Sequence, residues 1–225
     1  MGRAGRNCHE TSRSPYYYAE LPACLPFAAV IMSQPAPRTT DFLDQLAADL
    51  RALRELTVQR FRPLSDDQLN RRPAPGKWSI GQCLEHLNIT AGLVLPTMAR
   101  KLKQAAESGS KPAETAKSGF IGRKLITAMQ TPASQNPMKS PQQYAPSGSR
   151  LPRTVVEVFG RQLDELSSMV EQARKVNANA IRIPNPVVPL LYLRLTDQLE
   201  LLVVHLKRHV LQAERVLDGV GMVID

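Results

Sequence analysis

DQLELLVVHLKRHVLQAERVLD, residues 197–218, decides the fold. Leu199, Leu202, Leu206, Val210 and Leu217 recur at helical spacing and give one apolar stripe, so the stretch predicts an amphipathic helix, opened by Asp197 with Glu200 as its cap. His205 and His209 stand at i and i+4 within it, so their side chains share one helical face with β-carbons about 5–6 Å apart. That face also carries Leu201, Leu202, Gln212 and Val216, which are mostly apolar, so it is expected to point into a helical core. Arg208 is expected to point off it toward solvent.

Upstream, the same periodicity dominates. Phe42, Leu43, Leu46, Leu50, Leu53 and Leu56 predict a helix over about 40–61, ended before Pro63. PLSDDQLNRRPAPGK, residues 63–77, reads as a connector. The next helix, about 79–105, opens on a capping box of Ser79 and Gln82 with Trp78 stapling its entry, and buries Ile80, Leu84, Leu87, Ala91, Leu95 and Met98. Pro96 should kink it or loosen its last turns. A long Ser-, Pro- and Lys-rich stretch from about 106 to 151 holds one short helical candidate, SGFIGRKLITAMQ at 118–130. A connection this long suits a lid, a binding loop or disorder. Thr154 with Glu157 then caps a helix over about 154–176, and 177–192 is Pro-punctuated and extended, without strands in alternation. The fold expected is all-α: a four-helix bundle with a long crossover between helices two and three.

Composition excludes several alternatives. The chain has 225 residues, 43% hydrophobic and 22% charged, with a mean hydropathy of −0.25. These values fit a globular protein and neither a disordered nor a membrane chain. The longest apolar run, Leu21 to Met32, is broken by Pro22 and Pro26 and falls short of a membrane span. Cys8, Cys24 and Cys83 have no paired spacing, so no disulfide framework is expected and the cytoplasm is the default setting. Residues 1–31 lack apolar periodicity and read as a disordered or upstream translated extension, with Met32 as the natural start and 32–225 as the folded domain; Cys8 and His9 are weak metal candidates on that reading. The net charge of +9 keeps nucleic acid or anionic substrates open. The basic cluster Arg100, Lys101, Lys103, Lys111, Lys117, Arg123 and Lys124 lacks aromatic interleaving or a recognition helix, which argues against nucleic acid.

Chemistry concentrates in the histidines. His86 lies on the apolar side of helix two, with Gln82 one turn before and Thr90 one turn after. Taken singly it reads more readily as a hydrogen-bonded core residue, whereas the His205/His209 pair reads equally as core or as ligands to one metal. PAPGKWSIGQCLEHLNIT, residues 73–90, followed far downstream by HLKRHVLQ, residues 205–212, resembles the DinB-like superfamily, which includes bacillithiol transferase-like and mycothiol-dependent isomerase-like proteins. The resemblance covers about 38–218 and matches Trp78, Ser79, His86, His205, His209 and Gln212 in order. It implies a divalent metal, zinc or nickel, held by His86, His205 and His209.

Three neutral imidazoles leave a metal its full charge and an open position, the arrangement of a catalytic site. Such a position fits hydrolysis and thiol transfer alike; with the resemblance, metal-dependent thiol transfer to a small electrophile, with a low-molecular-weight thiol as a further cofactor, is the expected function. Hydrolysis and non-catalytic metal binding or sensing are the alternatives. No carboxylate lies one turn from a ligand, which tilts the reading away from peptide hydrolysis; Glu85 is expected to be solvated or to pack. Gln82 and Gln212 are the candidates for orienting a substrate or an imidazole N–H, and Trp78 is expected to close the core. The expected partner is a small-molecule substrate, a homodimer is compatible with the sequence, and neither nucleic acid nor membrane is expected.

Overall fold

Amphipathic periodicity makes four long helices in the computed structural model: α1 (Thr39–Leu56), α3 (Ile80–Glu107), α5 (Thr154–Ala173) and α6 (Leu195–Gly219), with the short α2 (Asp66–Asn70) and α4 (Phe120–Gln130) between them. The structure describes residues 36–130, 140–148, 150–188 and 190–219, all within the unit Pro35–Asp225. The N-terminal extension, with Cys8 and His9, lies outside the described residues.

α3 packs on α5 and α6, and α1 packs on the same two helices, so α1 and α3 occupy opposite corners of the bundle. The crossover from α3 to α5 carries α4, which lies along α6. Leu43, Leu50, Leu84, Leu87, Phe159, Leu163, Leu199 and Leu206 come from all four long helices and meet in one core. Their stripes are those the sequence displays, and their burial, at about 1.5–3 kcal/mol for each large apolar side chain, holds the bundle together. α3 opens as expected: the Ser79 hydroxyl accepts from Gln82 N (3.2 Å) and Gln82 Oε1 accepts from Ser79 N (3.1 Å).

Several local expectations are corrected. α1 ends at Leu56 and continues as one π-turn, Thr57–Phe61, in which the Thr57 hydroxyl donates to Leu53 O (2.7 Å). The connector 63–77 contains α2, opened by a second capping box of Ser65 with Gln68. α3 ends at Glu107, two residues later than expected, with Pro96 inside it and Leu95, Met98 and Leu102 buried. Thr154 does not cap α5; Arg153 holds the cap position without a side-chain bond. The extended segment 177–192 leads into a two-stranded antiparallel hairpin, β1 (Arg182–Pro184) with β2 (Tyr192–Arg194), in which Ile183 faces Leu193.

Asp197 is the largest correction. It lies inside α6 rather than at its start, is 2% exposed, and turns its carboxylate to the opening of α4, accepting from the Ser118 hydroxyl (2.7 Å) and Gly119 N (3.0 Å). A negative group there satisfies an end that has no internal partners. Gly122 permits this approach, because a Cβ at that position would collide with the Asp197 side chain close to its root, 2.7 Å from the Asp197 Cβ. Gly122→Ala is therefore expected to cost about 1–3 kcal/mol by overpacking, although alanine is the better helix former. A urea midpoint equal to wild type would show that α4 shifts without cost.

Candidate metal centre

α3 and α6 pack side by side, so the inward histidine of one meets the inward pair of the other. His86 is buried and His205 and His209 are half-buried. The ring centroids lie 5.0 Å apart for His86 and His205, 4.6 Å for His86 and His209, and 4.7 Å for His205 and His209. His86 Nε2 stands 3.1 Å from His205 Nε2. One nitrogen from each of the three rings falls within 4.8 Å of the others, a group that could hold a metal ion.

Hydrogen bonds orient two of the rings. His86 Nδ1 lies 2.7 Å from Tyr144 O. A carbonyl only accepts, so His86 carries its proton on Nδ1 and leaves the Nε2 lone pair toward the other histidines. His209 Nδ1 lies 3.0 Å from Gln212 Oε1, which sets the same tautomer. Such outer partners fix the direction of metal-binding imidazoles. Tetrahedral bonds of about 2.0–2.1 Å place donor nitrogens roughly 3.3 Å apart, so the His86–His205 pair already has nearly the separation of two ligands on one ion.

Electrostatics keep all three neutral. Burial lowers His86, partly offset by the Tyr144 carbonyl. His205 is held well below its ordinary value by burial and then by the charges His209 and His86 would carry. His209 is lowered to about 3, by burial first and His86 second. Neutral imidazoles are the metal-binding form.

Above the rings opens a cavity of about 560 Å³, walled by α3, α6, the hairpin and the segment around Tyr144. Among the described residues its wall includes no Asp or Glu, while Lys77 and Arg208 both border it. Arg208 is thus not directed away from the site as expected; it reaches Met129 O (3.3 Å) from the cavity wall. Trp78 does more than close the core, since its ring stacks 5.8 Å from His209 and tilts 5.1 Å from His86. Gln212 orients an imidazole, whereas Gln82 is spent on the cap and on Gly148 O (2.9 Å). Glu85 does not border the cavity and packs against the 140–148 segment, accepting from Ser147 N (2.9 Å) and from the Ser147 hydroxyl. Cys83 is buried with its thiol pushed up to about 12, unsuited to act as a nucleophile.

Sequence reasoning missed Tyr144, in a stretch without periodicity. Its carbonyl holds His86 and its hydroxyl donates to Pro186 O (2.7 Å), fastening the 140–148 segment to the hairpin across the cavity. Tyr144→Phe removes only the second bond. It should cost about 0.5–1.5 kcal/mol locally, seen as faster hydrogen exchange at Asn185 N, which bonds Leu191 O at the hairpin end, with metal content unchanged. Unchanged exchange there would show that the hairpin is held by other contacts.

Among the described residues no helix is long and apolar enough to cross a membrane. No curated protein and no solved structure matches the chain. A family model described as the DinB superfamily matches residues 49–213, a span that contains Trp78, all three histidines and Gln212. With that match added to a helical bundle that brings His86 to His205 and His209, the chain belongs to the DinB superfamily.

Proposed function

We propose that His86, His205 and His209 hold one divalent metal, zinc or nickel, and that the protein is a transferase that joins a low-molecular-weight thiol to a small electrophile. The observation that carries the reading is the convergence of three neutral imidazoles at the base of a cavity of about 560 Å³ whose described wall has no carboxylate. Imidazole donors suit zinc and nickel. With three protein ligands, such a metal supplies an open position at which a thiol is favoured as thiolate.

The chain's own groups fit that use. Lys77 and Arg208 give the wall a positive lining that favours an anionic ligand. Gln212 and the Tyr144 carbonyl hold two rings in place, and Trp78 covers one side of the cluster. A carboxylate base for hydrolysis would have to come from outside the described wall, which is why transfer ranks above hydrolysis.

Two measurements test this. Protein purified without a metal column and reconstituted with zinc or nickel should carry about one ion per chain by mass spectrometry of the metal. A screen of thiols against electrophilic acceptors should then show metal-dependent loss of free thiol. Less than about one ion in ten chains would overturn the metal assignment. A stoichiometric ion with no thiol consumed would overturn transfer and leave metal binding.

A further inference from the structure

The side of α6 that faces the cavity carries more than the metal candidates. Gln198, Leu201, Leu202, His205, Arg208 and Gln212 all border it, at the spacing of one helical stripe. Gln198 stands apart among them. It is 3% exposed, and its Oε1 is buried without a hydrogen-bond partner among the described residues. Buried amides normally find partners, since leaving one unpaired is unfavourable. The neighbouring polar groups of the wall have theirs: Gln212 bonds His209, Tyr144 bonds Pro186, Thr90 bonds His86 O, and Asn185 Oδ1 accepts from Val187 N and Val188 N.

We propose that Gln198 is the specificity-determining residue of this site, exchanging hydrogen bonds with an amide or hydroxyl group at the far end of an elongated ligand whose reactive head lies at the histidines. The carboxamide can present either its oxygen or its NH₂ by turning about its terminal torsion, so one residue serves a donor or an acceptor. Gln198 precedes His205 by seven residues, about 10 Å along the helix axis. Between them Leu201 and Leu202 make the wall apolar, with Val94 from α3 and Val187 from the hairpin also bordering the cavity. The ligand class follows: a metal-seeking head, an apolar spacer of about six carbons and a neutral polar tail. The identity of the head rests on the metal reading above; the role of Gln198 does not.

Gln198→Leu keeps the volume and helix preference and removes the amide. The probes are an ω-mercaptoalkanamide with about six methylenes and the methyl-ended thiol of equal length, titrated into zinc-reconstituted full-length protein. Trp78 is the chain's one tryptophan and stacks on His209, so its fluorescence reports the site directly. The preference for the amide-ended over the methyl-ended thiol should fall roughly 3- to 10-fold in the variant, the size of one neutral hydrogen bond, with zinc content unchanged. An equal preference in wild type and variant would overturn the proposal. Heptanamide titrated into chelator-treated protein separates the two readings. Gln198-dependent quenching there supports the tail contact even if no metal is ever held, and its absence alongside normal zinc binding overturns the tail contact and leaves the metal reading intact.

Discussion

His205→Ala is expected to leave a folded helical protein that has lost its metal. His205 Nε2 stands 3.1 Å from His86 Nε2, nearly the separation of two ligands on one ion. Its removal leaves two donors from different helices and no described carboxylate in the cavity wall to replace it. Loss of a mere outer-shell partner costs about 10- to 100-fold in metal affinity, so loss of a ligand should exceed 100-fold. The bundle should survive, because its core is built from leucines of four helices and the histidine ring is only half-buried. Competition with a chromophoric chelator gives the affinity, and circular dichroism the fold. A variant that keeps one tightly held ion per chain would remove His205 from the ligand set. Arg215→Ala, on the exposed side of the same helix, should change neither measurement.

What the sequence displays about this site is set by periodicity. Leu84, Leu87, Leu202 and Leu206 repeat at three and four, so the faces of α3 and α6 that point inward can be read directly, and the histidines ride on those faces. Contacts made by irregular chain leave no such trace. The Tyr144 carbonyl that orients His86 comes from a stretch without a repeat, and any residue type could supply it. Asp197 has the sequence of a helix cap and is one, but for α4 rather than for its own helix, because α6 begins two residues earlier and packs along the crossover. Arg208 follows a similar logic. Its angle around the helix lies between the core and solvent, and only the chain folded over α6 turns that position into a cavity wall. Two-stranded pairing over 182–194 is hidden for a further reason: each strand is three residues long, too short for alternation to stand out, and β1 ends in proline.

Chelator-treated protein should lose stability steadily as the pH falls below about 6.5. The ordinary imidazole value is 6.5, and in the fold His209 is lowered to about 3, with His86 and His205 shifted the same way. Above 6.5 both folded and unfolded chains hold these rings neutral, and the shifts contribute nothing to the pH dependence. Below it the unfolded chain takes up protons that the folded one refuses, so protonation favours unfolding until the folded values are reached. For His209 alone the window from 6.5 to about 3 corresponds to a loss on the order of 5 kcal/mol, a large part of a typical domain's stability. Glu200 and Glu214 act in the opposite sense, since burial raises both and their protonation in the fold becomes favourable at the acid end. The net fall should therefore be steepest between about pH 6.5 and 5, where the carboxylates have not begun to compensate. Urea midpoints measured at half-unit intervals check it, and His209→Gln should flatten the slope because an amide takes up no proton. A wild-type midpoint that stays level from pH 7 to 5 would mean that the rings are open to water in the apo protein. Added zinc should raise the midpoint near neutral pH and lose that effect at the acid end, since the metal and the proton compete for the same lone pairs.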